Sequence, residues 1–344
     1  MNNINRTIKV STPSNIAFVK YWGKKPVQYP LNPSVSMTLK NCVCEMDISY
    51  QSVENGSFIN NFLFNDQKNE KFLKRLEKYL NSLKEICPYL ENLSFSIKTN
   101  MTFPHSAGIA SSAAAFGALG YALANIEREI DLISLEEVNQ RASFLARLGS
   151  GSAARSIEGP YCIWGDHHQI KSHDDYALKF TNIHSSFKDV KDVILIIDQN
   201  EKSISSSEGH QLMNDHIFKE TRIHQANQNF IDIISSMRSG DWEQFGGILE
   251  NEALTLHAMM MTSQPSYMLL KPNSLQVIQK IQQFREENAL PIYYTIDAGP
   301  NIHIIYPKNY ENDAENFIKT ELSEYCENGR YIIDHCGTGA CLTD

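Results

Sequence analysis

Hydrophobic and polar residues alternate along several short segments of the chain, a pattern typical of half-buried antiparallel strands. The predicted strands cover residues 6–11, 92–99, 159–165, 192–198, 291–297 and 301–307. Elsewhere, apolar residues recur at the spacing of an amphipathic helix. The predicted helices cover residues 68–86, 111–129, 134–149, 208–239, 241–261 and 274–288.

Two of these helices have recognisable end signals. Ser134 followed by Glu137 is a capping box, and Gly149 ends the same helix. Ser274 is the predicted N-cap of the last helix, and Pro272 just before it helps to set the start.

The order of the elements predicts an α+β fold, because strands and helices do not alternate in the strict βα order of a parallel sheet. A chain of 344 residues also exceeds the usual size of one domain. The polar stretch 181–192 is the predicted boundary, and it divides the chain into domains of residues 1–190 and 191–344.

Composition argues against several classes of partner. The net charge is −9 without any basic block, so we expect neither nucleic acid nor a membrane surface as a partner. No apolar run approaches the roughly 18–20 residues of a membrane helix, and no signal peptide is evident, so we expect a cytoplasmic protein. The seven cysteines lack zinc-ligand spacing, which predicts reduced thiols and no metal site of their own. An anionic ligand would need a local cluster of cations, since the overall charge repels it.

The segment FPHSAGIASSAAA, residues 103–115, places small uncharged residues just before a predicted helix. One interpretation is close packing, because small residues let a helix approach its neighbours. The other is an anion site, because the free N–H groups at a helix N-terminus bind phosphate. No lysine follows the glycine, so the segment is not a Walker A loop.

Residues 13–25, PSNIAFVKYWGKK, combine cations with aromatic hydrogen-bonding groups. Lys20 and Lys24 flank Tyr21 and Trp22 in one short stretch. The segment is either part of an anion site or a strand end with solvated lysines.

Residues 146–160, ARLGSGSAARSIEGP, interleave glycines with serines and then carry an arginine. Two hydroxyls (Ser150 and Ser152), a flexible backbone and Arg155 suit a phosphate or a carboxylate, which Arg grips with two hydrogen bonds. A helix C-cap and turn, with Arg155 in a salt bridge, accounts for the same pattern.

Residues 293–307, YYTIDAGPNIHIIYP, place Asp297 at the end of an apolar strand and before Ala-Gly-Pro-Asn. An Asx-turn explains such an aspartate, and so does a general base beside a bound hydroxyl. Together, the four segments offer phosphate-binding loops, cations and one carboxylate held on a turn. That set suits phosphoryl transfer, in which positioning and charge neutralisation supply most of the catalysis.

The same segments resemble the signature segments of the diphosphomevalonate decarboxylase family, in the GHMP kinase superfamily. The resemblance runs in order along nearly the whole chain, through KYWGK (20–24), LNPSVSMTL (31–39), FPHSAGIASSAA (103–114), GSGSAARS (149–156), EALTLHAMMM (252–261) and DAGPN (297–301). It implies the GHMP two-domain fold, with a ribosomal protein S5 domain 2-like N-terminal domain and a ferredoxin-like C-terminal domain. Homodimers are common in the family.

The resemblance also implies an activity. Family members bind ATP and Mg²⁺, phosphorylate the C3 hydroxyl of (R)-5-diphosphomevalonate and release CO₂ and phosphate, which leaves isopentenyl diphosphate and ADP. By matching positions, Asp297 would be the base or orienting group, Arg155 would hold the substrate carboxylate, and Lys20 would support the negative charge. The implied substrate contacts are Tyr21, Trp22, Lys24, Ser150, Gly151, Ser152, Lys202, Ser205 and Ser206. The residues implied along the ATP phosphates are Ser106, Ala107, Gly108, Ile109, Ala110, Ser111 and Ser112.

One position departs from the family pattern. Ser207 stands where members of the family that the chain resembles often have an arginine that binds the diphosphate. This keeps mevalonate 5-phosphate open as a second candidate substrate. A small-molecule kinase that does not decarboxylate also fits the motifs, as does a protein of a different class, a phosphate-ligand sensor without turnover.

Overall fold

The computed structural model describes residues 5–54, 58–104, 109–200 and 204–344. Its strands are β1 (Asn5–Val19), β2 (Ser34–Ser52), β3 (Phe58–Phe64), β4 (Leu93–Met101), β5 (Tyr161–Trp164), β6 (Leu178–Lys179), β7 (Val190–Leu195), β8 (Tyr293–Thr295), β9 (Ile302–Pro307), β10 (Tyr331–His335) and β11 (Cys341–Leu342). Its α-helices are α1 (Glu70–Ser82), α2 (Ser111–Glu129), α3 (Val138–Gly149), α4 (Ser206–Leu212), α5 (Lys219–Ser239), α6 (Trp242–Met261), α7 (Pro272–Asn288) and α8 (Glu311–Phe317). In the described ranges, no helix is both long and apolar enough to cross a bilayer.

The strands form two sheets. The first runs in the order β11-β1-β2-β4-β3, with β5 paired to β2 and β6 paired to β5. All of its pairs are antiparallel except β3 with β4. The second sheet runs in the order β10-β7-β9-β8 and is antiparallel throughout. The mixture of helices with mostly antiparallel strands confirms the predicted α+β class.

Strand β1 changes character along its length. Its first residues alternate between exposed and buried side chains, whereas from Thr12 to Val19 the side chains on both faces are buried or nearly so. Helices α2, α5 and α6 all contact β1, which accounts for burial on both faces. Helix α6 also contacts β8 of the second sheet, so the end of β1 lies close to the end of β8.

The small residues of α2 allow it to pack closely against α3. A Cβ atom on Gly120 would lie 2.7 Å from the backbone nitrogen of Ala146, which is closer than any side chain tolerates. Within the segment 103–115 itself, Ala113, Ala114 and Ala115 are fully buried, which agrees with the packing interpretation for the part that lies in the helix. The helix also begins at Ser111 and ends at Glu129, as the apolar spacing predicts.

Two helix predictions were wrong. The predicted helix 208–239 is two helices, because the chain turns between α4 and α5, where His216 Nδ1 accepts the Phe218 N–H at 3.1 Å. Ser274 is not an N-cap, because α7 begins at Pro272, whose fixed φ suits the first helical position. The Ser274 hydroxyl donates instead to the carbonyl of Pro300 at 2.8 Å.

The end of the chain returns to the first sheet. Strand β11 pairs with β1, with Leu342 opposite Val10. The capping box of Ser134 and Glu137 forms as predicted. The division into residues 1–190 and 191–344 stays a prediction.

Candidate active site

A cleft of about 480 Å³ opens just beyond the ends of β1 and β8, beside the start of α2 and the short 3₁₀ turn Gly151–Ser156. It brings together residues from all four of the segments that the sequence singles out. The sequence-predicted residues that line it are Lys20, Tyr21, Trp22, Lys24, Ala110, Ser111, Ser112, Ser150, Gly151, Ser152, Arg155, Ser205, Ser206 and Asp297.

Of the other five predicted residues, only Ile109 is described, and it does not line this cleft. Ile109 is buried in the core, and its carbonyl oxygen accepts a hydrogen bond from the Ser14 hydroxyl at 2.6 Å. The remaining four lie outside the described residues: Ser106, Ala107, Gly108 and Lys202.

An ion pair between Lys20 and Asp297 stands at the base of the cleft. Lys20 Nζ lies 2.8 Å from Asp297 Oδ1, and the Lys20 side chain is only 2% exposed. The turn after β8 is held through the backbone, since the Asp297 carbonyl accepts from Gly299 N–H at 2.6 Å and from His257 Nε2–H at 3.1 Å. The carboxylate of Asp297 is thus directed to Lys20 and the cleft rather than to an Asx-turn.

The electrostatics keep this carboxylate ionised. Burial raises the pKa of Asp297, but the nearby Lys20, His303 and Arg155 outweigh burial and leave that pKa below its usual range. Burial lowers the pKa of Lys20, and the ion pair with Asp297 partly offsets this effect. At neutral pH Asp297 therefore presents a negative charge to a ligand in the cleft.

A second, fully buried ion pair holds the backbone of Lys20. Glu252 Oε2 accepts the Lys20 N–H at 2.8 Å, and Asn32 Nδ2 donates to the Lys20 carbonyl at 3.0 Å. Arg222 bonds both carboxylate oxygens of Glu252, at 2.6 and 2.8 Å, and Asn229 donates to the same carboxylate at 2.7 Å. Residues of α5 and α6 therefore fix where the Lys20 side chain leaves the end of β1.

Arg155 carries a charge without a carboxylate partner among the described residues. Its Nη1 donates to the Ser34 hydroxyl at 2.6 Å and its Nε to Asn15 Oδ1 at 3.3 Å, so both of these hydrogen-bond partners are neutral. Burial lowers its pKa to about 10, which still leaves the guanidinium charged at neutral pH. A structural salt bridge does not explain this arginine, and an anionic ligand does.

The start of α2 meets the serines of the 3₁₀ turn. Ser112 Oγ lies 3.2 Å from Ser150 Oγ, which in turn lies 3.5 Å from Ser152 Oγ. The N-cap residue of α2 is Ala110, which has no side chain to cap the first N–H groups. Free N–H groups and hydroxyls therefore meet at one side of the cleft, an arrangement that suits phosphate oxygens.

The Tyr21 hydroxyl is a buried polar group on the wall of the cleft. Its oxygen has no hydrogen-bond partner among the described residues. A Cβ atom on Gly151 would lie 2.6 Å from that oxygen, so only glycine fits there. Buried hydroxyls are normally satisfied, and the cleft that Tyr21 lines is where a ligand would satisfy this one.

The sequence reasoning missed two cations that line the cleft, Lys71 and Arg75 of α1. The Arg75 guanidinium carbon lies 4.7 Å from the centre of the Phe116 ring, which holds the arginine beside the start of α2. The signal available was their i, i+4 spacing on one helix face. It was obscured because the same stretch also carries Lys68, Lys74 and Lys78.

Solved structures with the same architecture match nearly the whole length of this chain. Mevalonate diphosphate decarboxylase from Staphylococcus aureus shares 26% identity, with a TM-score of 0.84, and the match covers 99% of each chain. That from Legionella pneumophila shares 26% identity, with a TM-score of 0.80, over 95% of this chain and 100% of the other. MDDEF, solved in complex with MVAPP, AMPPCP and magnesium, shares 26% identity, with a TM-score of 0.84, over 99% and 100%. The fold and its cleft thus define a two-domain α+β protein of the GHMP class.

Sequence comparisons narrow this class to one family. The chain matches the diphosphomevalonate decarboxylase-like N-terminal domain over residues 12–177 and the mevalonate 5-diphosphate decarboxylase C-terminal domain over residues 192–335. Diphosphomevalonate decarboxylase from Saccharomyces cerevisiae is 30% identical over 331 residues, which is 91% of this chain and 81% of that protein. The Debaryomyces hansenii enzyme is 29% identical over 332 residues, or 92% and 84% of the two chains. The chain belongs to the diphosphomevalonate decarboxylase family, a family of carboxy-lyases, as its motifs predict.

Proposed function

We propose that this enzyme decarboxylates (R)-5-diphosphomevalonate at the expense of ATP, by way of transient phosphorylation of the C3 hydroxyl. The products are isopentenyl diphosphate, ADP, phosphate and CO₂. The observation that carries the proposal is the Lys20–Asp297 pair on the cleft, with Arg155 nearby and without a carboxylate partner among the described residues. Phosphorylation of a tertiary hydroxyl requires a carboxylate that orients the hydroxyl, and binding of the substrate carboxylate requires a cation.

Asp297 is proposed to orient the C3 hydroxyl and to receive its proton as the new P–O bond forms. Its lowered pKa makes it a weak base before the reaction, so proton transfer follows bond formation instead of preceding it. Lys20 holds the carboxylate in place and balances the negative charge around the transferred phosphoryl group. The Glu252–Arg222 pair keeps Lys20 in position for this role.

The second step separates charge at C3. The C3–O bond breaks with its electrons on the departing phosphate, and the C–C bond to the carboxylate supplies the electrons of the new double bond as CO₂ leaves. Positive charge develops at C3 in between. Asp297 passes the proton it received to the departing phosphate, and its carboxylate, ionised again, stabilises that charge, while Arg155 orients the substrate carboxylate before it is lost.

The start of α2 is proposed to hold the ATP phosphates, which supply the phosphoryl group for C3. Ala110, Ser111 and Ser112 would contact them through N–H groups and hydroxyls. No group of three or more His, Cys, Asp or Glu side chains in the described ranges could hold a metal ion. Mg²⁺ usually keeps several waters and binds through substrate phosphates, so it is proposed to enter with ATP. The AMPPCP and magnesium in MDDEF support this assignment.

The C5 phosphates are proposed to bind near Tyr21 and Lys24, at the side of the cleft lined by Ser205 and Ser206. Ser205 also forms a capping box with Glu208, since its hydroxyl accepts the Glu208 N–H at 3.2 Å. Lys71 and Arg75 line the same cleft and add positive charge that Ser207 does not supply. This positive charge favours a substrate with two phosphates at C5 over a substrate with one.

The choice between the two substrates is tested by measuring kcat/KM for 5-diphosphomevalonate and for mevalonate 5-phosphate, each with saturating ATP and Mg²⁺. We expect the diphosphate to be favoured by about 10- to 100-fold, because the monophosphate forgoes one or two hydrogen bonds to charged groups. Preference for the monophosphate would contradict the proposed substrate and leave the decarboxylase class intact.

A further inference from the structure

His210 of α4 occupies a closely packed position beside the cleft. Its ring centre lies 4.4 Å from that of Tyr21 and 4.7 Å from that of Trp22, so aromatic rings cover it. Its Nδ1 accepts the Gly23 N–H at 2.9 Å, and the residue as a whole is 8% exposed. His210 is also one of the residues that line the cleft.

The hydrogen bond from Gly23 determines where the proton of the imidazole sits. A ring nitrogen that accepts a hydrogen bond carries no proton, so the neutral ring has its proton on Nε2. Burial lowers the pKa of His210 to about 3, with smaller contributions in the same direction from Lys24 and Arg155. The ring is therefore neutral at physiological pH, and its Nε2 is a donor only.

The donor has no protein partner in the described part of the chain. Among the described residues, the one hydrogen bond of the His210 side chain is the one from Gly23. The Tyr21 hydroxyl is fully buried without a partner in the described ranges, whereas His210 Nε2 is not fully buried. His210 and Lys24 both line the cleft, and Lys24 Nζ donates to Gln28 Oε1 at 3.0 Å.

We propose that the Nε2–H of His210 donates a hydrogen bond to a phosphate oxygen of the mevalonate substrate and helps to set the affinity for it. The inference rests on the proposed function. Lys24 supplies charge at this end of the cleft without a fixed direction, because an ammonium group on a flexible stem is a point charge. His210 supplies direction without charge, because its ring is held by Tyr21, Trp22 and Gly23.

A phosphate oxygen of ATP has the same chemistry as one of the mevalonate phosphate. The two sources are separated by measuring KM for each substrate while the other is saturating. The donor assigned here acts on the mevalonate phosphate, so the change should fall on that KM and not on the KM for ATP.

Two substitutions separate the roles of the two ring nitrogens. His210→Asn keeps an acceptor near the position of Nδ1 for the Gly23 N–H and removes the donor toward the cleft. His210→Gln keeps a donor near the position of Nε2. The matched control is His224→Asn on the exposed face of α5, away from the cleft.

We expect His210→Asn to raise KM for 5-diphosphomevalonate by about 10-fold or more, with kcat within about 3-fold of the wild type, which is the effect of losing a hydrogen bond to a charged group. His210→Gln should recover most of that loss, and His224→Asn should leave KM unchanged. An unaltered KM in His210→Asn, equal impairment of both His210 variants, or a change confined to the KM for ATP would overturn the inference.

A second measurement uses the wild-type protein, so it depends neither on the folding of the variants nor on turnover. In wild-type protein labelled with ¹⁵N-histidine, the Nε2–H resonance of His210 should shift on addition of 5-diphosphomevalonate and stay in place with AMPPCP alone. A resonance unmoved by saturating 5-diphosphomevalonate overturns the hydrogen bond. A wild type that binds this compound without releasing CO₂ overturns the proposed function instead, and the imidazole shift still decides the inference.

Discussion

Asp297→Asn is expected to lower kcat by about 10³-fold while the binding of AMPPCP stays close to that of the wild type, because a carboxamide can neither accept the hydroxyl proton nor stabilise positive charge at C3. Asn has the shape of Asp, so its oxygen can still accept from Lys20 Nζ. The start of α2, where the ATP phosphates are proposed to bind, is unaltered by the change.

The measurement for Asp297 combines single-turnover kinetics with calorimetric titration of AMPPCP. Asp47→Asn on the exposed face of β2 serves as the matched control and should have wild-type kcat. A kcat for Asp297→Asn within about 10-fold of the wild type would mean that another group orients and deprotonates the hydroxyl.

Glu252→Gln is expected to lower the free energy of unfolding by about 3–5 kcal/mol, because it leaves the Arg222 charge buried without a carboxylate. Arg222 and Glu252 are 1% and 0% exposed, so water cannot compensate. Urea unfolding measures the change, and Glu286→Gln on exposed α7 should change the free energy of unfolding by less than about 0.5 kcal/mol.

The double variant Arg222→Met/Glu252→Leu tests whether the charge itself causes the loss. Removing both charges should restore at least half of the lost free energy of unfolding, since buried ion pairs replaced by apolar residues are often neutral in stability. The kcat of this double variant should be below that of the wild type, because the Lys20 N–H no longer has the Glu252 acceptor. A loss below about 1 kcal/mol in Glu252→Gln would show that this pair contributes no more than an exposed one.

Much of the fold follows from local pattern. Alternation predicts the region of β1 and the paired strands around Asp297, and helical spacing predicts α2 to the residue. Helix α2 is buried along most of its length and β8 and β9 are buried on both faces, so these elements stand out in the sequence as apolar segments bounded by polar residues. The helix predicted over 208–239 failed because the turn at His216 depends on a contact with α6, where His216 Nε2 bonds the Met259 carbonyl at 3.0 Å.

The site was predictable as far as its chemistry lies in contiguous motifs. Lys20, Arg155 and Asp297 each stand in a short segment of unusual composition, and the cleft brings them together. Glu252 and Arg222 could not be assigned in this way, because they lie 30 residues apart on two helices and act on the backbone of Lys20. The role of a buried carboxylate depends on its partner, and the partner is decided by tertiary packing.

The proposed decarboxylation is tested by the ratio of CO₂ to ADP formed from 5-diphosphomevalonate, ATP and Mg²⁺. The two products are measured in one reaction, with ¹⁴C-carboxyl-labelled substrate for CO₂ and a coupled assay for ADP. A decarboxylase with Asp297, Lys20 and Arg155 in these roles should release one CO₂ for each ADP. ADP formed without CO₂ would identify a kinase that stops at the phosphorylated hydroxyl, and it would contradict the proposed decarboxylation.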